Sequence, residues 1–414
     1  MNRIATVSHP RSSPLSRRHL LAGTAGGVAA LAAPALLRAQ PAPVKIGLLH
    51  PVTGFLAFSG QQCREGALMA IEAINGAGGI RSLGGAKLEP VLGDAQSKPE
   101  VGAAEVEKMN EAGVAAIIGA FSSAISLATT QSAARYGIPH IVDVGVSDQI
   151  VQRGLANTFR FCPGYGLIAQ IAIDNLVALN DAAGKPARTV AIVHEESLFG
   201  TGTAQLLQKE LPARGFEVVE VAKHANPTRD FTNVVLKLKA LAPDIVIPAN
   251  YYNEYVLLAR TMRQQGVRPK AIYSVLGGAA SSFKFVKEFP DDAAYIMDCN
   301  HWYDPRKAEA LELRRKVEAR GLFYTYEVFL AHEAVRLLAD ALERAGSASR
   351  ERIVEALATS RWDGHFMPYG PTRFVNGQNE GARPVNTQVL NGTIEVIFPA
   401  EFASARPVFP MPRV

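Results

Sequence analysis

Short apolar segments alternate with longer amphipathic segments along this chain, and this alternation constrains the fold more than any other feature. One series runs from residues 44–49 to 140–144, and a second runs from 189–193 to 271–275. The intervening stretches, such as 61–75, carry apolar residues at helical spacing. Short buried strands separated by helices are typical of βαβ units, which build parallel sheets. The sequence therefore predicts two α/β lobes of similar architecture.

The C-terminal part of the chain departs from this alternation. Residues 324–345 and 350–359 have the spacing of amphipathic helices, and two helices alone cannot enclose a core, so we expect them to pack on the first lobe. Residues 386–390 and 393–398 flank Asn391-Gly392, a pair that supplies the positive φ angles of a two-residue hairpin turn. We expect this hairpin to add strands to the second lobe.

These assignments make the chain pass between the lobes three times, near residues 159–163, 295–300 and 367–374. The predicted fold class is therefore α/β, with two Rossmann-like lobes of parallel strands joined by a hinge of three crossovers. The predicted lobe boundaries give a first lobe of residues 44–161 and 300–368, and a second lobe of residues 162–299 and 369–414.

The first 39 residues differ from the rest of the chain and predict an export signal. They contain five arginines and no acidic residue, and Arg17-Arg18 precede an Ala/Gly/Leu-rich stretch at 22–37. Twin arginines before a weakly apolar segment are typical of a twin-arginine signal, whose last residue would be Ala39. The alternative, a membrane anchor, fits less well because the segment is short and contains glycine and proline.

Charge and motif content exclude several classes of function. Beyond residue 39 the chain carries 38 basic and 38 acidic residues, which argues against a nucleic-acid-binding surface. It has no dinucleotide-binding, phosphate-loop or nucleophile-elbow motif. His194-Glu195-Glu196 fits a polar loop better than a metal or acid–base site, because no partner histidine follows at helical spacing. We therefore expect a protein that is not an enzyme and has no cofactor and no metal.

The three cysteines, Cys63, Cys162 and Cys299, include no Cys-x-x-Cys pair, so that neither a redox site nor a zinc site is indicated. We expect buried, inactive thiols. The alternative is a disulfide between Cys162 and Cys299.

Candidate ligand-binding residues lie in the loops that follow the predicted strands, because open α/β sheets bind ligands beyond the carboxyl ends of their strands. In the first lobe, Ser122 and Ser123 precede a helix and would form a cradle for a carboxylate. The alternative is that one of them only caps the helix. Val144, Gly145 and Ser147 follow the fourth strand and would add backbone donors.

In the second lobe, Phe199, Tyr251 and Gly277 lie in the corresponding loops. Aromatic residues at loop tips are common in ligand clefts. Packing between the lobes is the alternative role for such an aromatic residue.

At these loops the sequence resembles the leucine/isoleucine/valine-binding proteins, which are type I periplasmic binding proteins. The resemblance extends over about residues 44–410. Its motifs are Val44-Lys45-Ile46-Gly47 with Val52-Thr53-Gly54, the segment 74–80, Ile117-Ile118-Gly119 with Ser122-Ser123, Phe199-Gly200, and Pro243-Asp244 before Tyr251-Tyr252. The resemblance implies the two-lobed fold, a small ligand such as an amino acid or a related carboxylate or amide, and an ABC transporter permease as partner.

The resemblance also implies roles for particular residues. The carboxylate-binding serine of the family corresponds to Ser122 or Ser123, the lid aromatic to Phe58, and the aromatic residues after strands to Phe199 and Tyr251. The chain departs from the family at Leu276-Gly277, where amino-acid binders have an acid that holds the α-ammonium group. Val146 stands where they have threonine, and Phe121 stands where they have a disulfide.

Because a buried ammonium group without a carboxylate is costly, an aromatic or aliphatic carboxylate or an amide fits these loops better than leucine. Together with the predicted export signal, the resemblance implies a monomeric periplasmic substrate-binding component of an ABC importer. The alternative is a periplasmic sensor that binds the same ligand and docks on a receptor or regulator.

Overall fold

The computed structural model describes residues 41–412, which contain two seven-stranded sheets flanked by helices. The first sheet has the strand order β11-β12-β5-β4-β3-β1-β2. Its strands are β1 (Val44–His50), β2 (Leu88–Asp94), β3 (Ala116–Gly119), β4 (His140–Val142), β5 (Thr158–Arg160), β11 (Phe374–Val375) and β12 (Gln378–Asn379). The strands β1 to β5 pair in parallel, as the alternation of strands and helices predicts.

The second sheet repeats this arrangement with the order β14-β13-β10-β9-β8-β6-β7. Its strands are β6 (Thr189–Glu195), β7 (Glu217–His224), β8 (Ile245–Ala249), β9 (Ala271–Val275), β10 (Met297–Asn300), β13 (Val385–Leu390) and β14 (Thr393–Phe398). Strands β6 to β10 are parallel, and the strands of the C-terminal hairpin are antiparallel. The predicted α/β fold with two lobes is confirmed.

The helices follow the strands in the pattern of βαβ units. They are α1 (Ala57–Gly76), α2 (Pro99–Glu111), α3 (Ser123–Arg135), α4 (Tyr165–Ala182), α5 (Leu198–Glu210), α6 (Thr232–Leu241), α7 (Tyr252–Gln264), α8 (Phe283–Glu288), α9 (Pro290–Ala293), α10 (Ala308–Ala319), α11 (Tyr326–Ala345) and α12 (Arg350–Ala358). None of the helices within residues 41–412 is long and apolar enough to cross a membrane. The predicted export signal, residues 1–39, lies outside the described residues.

The C-terminal hairpin confirms its sequence signal. Strands β13 and β14 pair through the turn Asn391-Gly392, whose φ angles are 51° and 74°. Only residues that tolerate positive φ fit both positions of such a turn. The hairpin joins the second sheet because β13 pairs with β10.

The last predicted lobe boundary, between residues 368 and 369, differs from the structure. Strands β11 and β12 belong to the first sheet, where Gln378 pairs with Arg160 of β5. The side chains of the same two residues form a hydrogen bond of 2.7 Å. The third crossover therefore lies between Asn379 and Val385, and the two earlier ones follow Arg160 and Asn300.

All three cysteines are buried with free thiols, so the predicted inactive thiols are confirmed and the alternative disulfide is wrong. The Cys162 sulfur faces the carbonyl oxygen of Gly145 at 3.7 Å. The Cys299 sulfur faces the carbonyl oxygen of Ile168 at 3.8 Å, so each thiol has its own backbone neighbour.

Helix α11 packs against α1 at very short range, and this contact fixes the C-terminal helices on the first lobe. A β-carbon placed on Gly66 of α1 would lie 2.0 Å from the carbonyl oxygen of Val328 in α11. Backbone atoms cannot move aside as the end of a flexible side chain can. A glycine at residue 66 is therefore a requirement of the packing.

We expect Gly66→Ala to lower the free energy of unfolding by about 1–3 kcal/mol, because the overlap with Val328 outweighs the better helix propensity of alanine. Gly76→Ala is the matched control, since Gly76 ends the same helix and a β-carbon there meets nothing within 4 Å. Urea denaturation of both variants measures the difference. Equal stability of the two variants would contradict the packing argument.

Candidate ligand site between the two lobes

A partly open cavity is formed by loops from both sheets, and its empty volume of about 340 Å³ includes open solvent. These loops follow strands β3 and β4 of the first sheet and β6, β8, β9 and β10 of the second. The lining residues are Phe121, Ser123, Val144, Val146, Phe199, Asn250, Tyr251, Leu276, Asn300, His301 and Tyr326. The cavity therefore lies where open α/β sheets bind their ligands.

The serine loop offers two hydroxyl groups at the N-terminus of α3. Ser122 is the N-cap residue, but its side chain makes no capping hydrogen bond, so the capping alternative does not apply to it. Its Oγ accepts a bond of 3.4 Å from the Tyr251 hydroxyl of the other lobe. The Ser123 Oγ accepts a bond of 3.1 Å from the amide of Ser147. Because both oxygens act as acceptors, both hydroxyl hydrogens remain available to an anion.

Tyr251 lies at the centre of an aromatic group that joins the two lobes. Its ring centroid is 5.7 Å from that of Phe121 in the first lobe and 5.2 Å from that of Phe199 in the second. Burial raises the pKa of its hydroxyl, and the nearby charge of Glu195 raises it further. Tyr251 is therefore a neutral hydrogen-bond donor between the lobes.

Two of the loops have unusual backbone geometry at a lining residue, and a buried aspartate holds each one. Phe121 and Leu276 have φ angles of 61° and 60°, which are uncommon for bulky residues. The amide of Phe121 donates to Asp143 at 3.1 Å, and the amide of Gly277 donates to Asp298 at 2.9 Å. In both lobes, a hydrogen bond from a loop amide to a buried aspartate thus fixes a loop that lines the cavity.

The carboxyl groups of these aspartates differ in their pKa. Burial tends to raise the pKa of Asp143, but hydrogen bonds from His50 and from two backbone amides hold it below its ordinary value. Burial raises the pKa of Asp298 to about 6, although Ser281, Gly277 and Asn300 donate to it.

His50, Cys63 and Asp143 bring possible metal ligands within 4.8 Å of one another. The His50 Nε2 and the Asp143 Oδ2 are already paired at 2.8 Å, and the Asp143 Oδ1 accepts from backbone amides. Burial raises the pKa of the Cys63 thiol well above its ordinary value, which opposes the thiolate that a metal needs. The cluster therefore acts as structural support for the serine loop.

Two lining side chains have polar atoms without a partner. Both ring nitrogens of His301 are buried and make no hydrogen bond within residues 41–412. Burial lowers the pKa of His301 to about 3, with a further contribution from Arg160, so the ring is neutral. The Asn250 Oδ1 is likewise buried and unpaired within the described part of the chain.

Of the predicted site residues, Ser123, Val144, Phe199 and Tyr251 line the cavity. Four others adjoin lining residues without being part of the lining: Ser122 contacts Tyr251, Ser147 contacts Ser123, Gly277 follows Leu276, and Gly145 follows Val144. Phe58 lies away from the cavity, where its ring packs on that of Tyr252 with centroids 4.4 Å apart.

Sequence reasoning missed seven lining residues. Four of them lie in the loops that it had identified, at Phe121, Val146, Asn250 and Leu276. Asn300 and His301 lie where the chain crosses between the lobes, and Tyr326 is the first residue of helix α11. The sequence signal that could have identified His301 is its place directly after strand β10, where a polar residue is expected to face a ligand.

A cavity shared by two α/β lobes that three crossovers join defines a two-lobed solute-binding protein. A family model described as periplasmic binding protein matches residues 43–393. The chain therefore belongs to the periplasmic binding protein family, and the predicted resemblance to the leucine/isoleucine/valine-binding proteins is confirmed. The family and the fold are those of solute-binding proteins, which are not enzymes.

Individual relatives agree with this assignment. The Leu/Ile/Val-binding protein homolog 8 of Brucella abortus (strain 2308) is 28% identical over 398 residues, which cover 94% of this chain and 98% of the relative. The branched-chain amino acid transporter substrate-binding protein LivJ of Streptococcus pneumoniae, solved in complex with isoleucine, is 22% identical with a TM-score of 0.73. The aligned part covers 89% of this chain and 100% of LivJ.

A solute-binding protein of an ABC transporter from R. palustris, solved in complex with benzoate, is 19% identical with a TM-score of 0.74. The aligned part covers 86% of this chain and 95% of that protein. Both structural neighbours share the fold of this chain.

Next to the cavity, Glu327 follows the lining residue Tyr326 and is a buried carboxyl group. Neither of its oxygens has a hydrogen-bond partner among residues 41–412 at bonding distance, although the hydroxyls of Ser59 and Thr325 are close. Burial raises its pKa from 4.5 to about 7. Glu327 is therefore largely protonated below pH 7 and about half protonated at neutral pH.

We expect Glu327→Gln to become more stabilising relative to the wild type as the pH rises from 5 to 8. The folded chain keeps the Glu327 proton between pH 4.5 and about 7, where the unfolded chain has lost it, so the wild type loses stability as the pH rises through this window. Glutamine does not titrate, and the difference should grow by up to about 3 kcal/mol. Urea denaturation at both pH values measures it.

Glu343→Gln in the same helix is the control with the opposite sign. Despite some desolvation, amide donors from Ser82 and Arg81 lower the pKa of Glu343, so its contribution is present at pH 8 and is lost in acid. A Glu327→Gln variant with the same pH dependence as the wild type would contradict the buried, protonated state of Glu327.

Proposed function

We propose that this protein is the periplasmic substrate-binding component of an ABC importer and that it captures an amino acid or a related small carboxylate or amide by lobe closure. The observation that carries this proposal is the division of one cavity between loops of both sheets. A ligand completes its contacts only when both lobes surround it. The ligands of the two structural neighbours, isoleucine and benzoate, are both small carboxylates and support this class.

The ligand carboxylate docks on the serine loop in this proposal. Ser122 and Ser123 supply hydroxyl donors, and the first turn of α3 supplies free backbone amides and the positive end of its dipole. Gly145, Ser147 and Gly277 act by shaping the loops that carry Val144, Ser123 and Leu276. Phe58 acts indirectly, through its contact with Tyr252.

The second lobe then closes by hinge motion and brings Phe199 and Tyr251 over the ligand. The sheet assignments support a first lobe of residues 44–160 and 301–379 and a second of 161–300 and 380–412. An ABC permease recognises the closed form of the monomer. The signal at residues 1–39 supports export to the periplasm.

We expect Ser123→Ala to weaken binding of the carboxylate ligand by about ten-fold or more, because a hydrogen bond to a charged group contributes about 1.5–3 kcal/mol. Ser132→Ala is the matched control: Ser132 is buried in the same helix and lies outside the cavity lining. The ligand comes from a thermal-shift screen of amino acids, aromatic and short-chain acids, and amides. Calorimetric titration then gives both affinities. Equal loss of affinity in both variants would place the carboxylate elsewhere.

We expect Tyr251→Phe to raise the dissociation constant several-fold, because it removes the hydroxyl that bonds to Ser122 across the lobes. Tyr255→Phe is the control in helix α7, since its hydroxyl bonds to Ser274 within one lobe. The control should lose thermal stability and keep its affinity. If the Tyr251→Phe variant binds as tightly as the wild type, the Tyr251 hydroxyl has no role in lobe closure.

A further inference from the structure

Among the residues that the structure describes, 41–412, the cavity lining contains no aspartate, glutamate, lysine or arginine. The single titratable group with a pKa near neutrality in free solution is His301, which burial keeps uncharged. An anion still finds a favourable place, because the serine hydroxyls and the N-terminus of α3 stabilise negative charge without a formal positive charge. The lining offers a positive charge neutral hydrogen-bond acceptors only, and no carboxylate within residues 41–412.

The buried carboxylates around the cavity are occupied by the protein itself. Asp143 accepts from His50, from the amide of Phe121 and from that of Val144. Asp298 accepts from Gly277, Ser281 and Asn300.

Glu195 is occupied in the same way, by both the amide and the hydroxyl of Ser197, the amide of Gly200 and the side chain of Asn226. An ammonium group that competed for any of these carboxylates would have to break the hydrogen bonds that hold a ligand loop.

The two buried glutamates with unpaired oxygens do not supply the carboxylate that an ammonium group would need. Neither Glu254 nor Glu327 lines the cavity, and burial raises the pKa of both carboxyl groups. Aromatic faces alone attract a cation by about 0.5–2 kcal/mol, which is less than the cost of burying an unpaired ammonium group. A ligand with an ammonium group is therefore selected against.

Asn250 instead presents a hydrogen-bond acceptor. The His224 Nδ1 lies 2.9 Å from the carbonyl oxygen of Ala225, so this nitrogen carries the proton and the Nε2 accepts from the Asn250 amide nitrogen. This orientation leaves the Asn250 Oδ1 as an acceptor that has no partner within residues 41–412. A ligand N–H or O–H that reached this oxygen would satisfy it.

His301 adds a donor and an acceptor. Its neutral ring has one N–H and one bare nitrogen, both buried and both without a partner in the described chain. A hydroxyl group, which donates and accepts at once, matches this ring and the Asn250 oxygen. An amide N–H with its carbonyl would match them as well.

We propose that the ligand is a carboxylic acid that lacks an ammonium group and carries a hydroxyl or amide substituent, which Asn250 and His301 recognise. This inference rests on the proposed function, because it takes the cavity as the ligand site. It narrows the small carboxylates and amides to one chemical class.

Two series of compounds test the proposal, each with one carbon skeleton and three substituents. The first is phenylpropionate, phenyllactate and phenylalanine, and the second is para-toluate, para-(hydroxymethyl)benzoate and para-(aminomethyl)benzoate. In calorimetric titrations of the purified chain near neutral pH, we expect the hydroxy acid of at least one series to bind about ten-fold more tightly than the unsubstituted acid. The amino compound should be the weakest member of each series.

A His301→Phe variant tests the role of the imidazole. It should abolish the preference for the hydroxy acid and should not lower the melting temperature of the free protein, because the nitrogens that it removes have no partner in the described chain. His365→Phe is the matched control, since His365 is buried outside the lining and bonds to Gly370 and Met367. The control should lose stability and keep the ligand preference.

The outcomes separate the two proposals. Tightest binding by the amino compound in either series would overturn the ligand class and leave the proposed function intact. A preference for the hydroxy acid that survives His301→Phe would overturn the role of His301. If no compound of these series or of the wider screen raises the melting temperature, the proposed function itself is wrong.

Discussion

Two buried aspartates, one in each lobe, hold the loops on which the candidate ligand site depends. Asp143 and Asp298 accept the backbone amides that keep Phe121 and Leu276 at positive φ. Bulky residues adopt that conformation only where the surroundings enforce it. Because these carboxylates are used to build the loops, they are not available to a ligand. In the proposed site, the use of both carboxylates to hold the loops therefore leaves neither of them to pair with a positively charged group of the ligand.

The sequence predicted the architecture well wherever a local signal exists. Apolar segments at strand spacing gave both parallel sheets, and Asn391-Gly392 gave the final hairpin. The predicted boundary at 368/369 leaves β11 and β12 out of the sheet that they join, because strands of two residues each are too short to produce a period. Their place in the first sheet depends on the long-range pairing of Gln378 with Arg160, which no local pattern encodes.

The difference between local sequence signals and long-range packing also explains which residues of the candidate site could be predicted. Ser123, Val144, Phe199 and Tyr251 lie directly after strands, and the general rule for open sheets therefore identifies them. Tyr326 begins a helix that the pattern assigns to the core, so its contact with the cavity follows only from the packing of the lobes.

In the proposed mechanism, lobe closure has a cost that the ligand must offset. The ring nitrogens of His301 and the Oδ1 of Asn250 are buried without a partner among residues 41–412. Each such group costs about 1–3 kcal/mol when it is removed from water and left unpaired. Closure without a ligand is therefore penalised, and a ligand that lacks matching groups leaves the penalty in place. The unpaired atoms thus make closure depend on the chemistry of the ligand. A permease that binds only the closed form would therefore respond only to a ligand that pairs with these atoms.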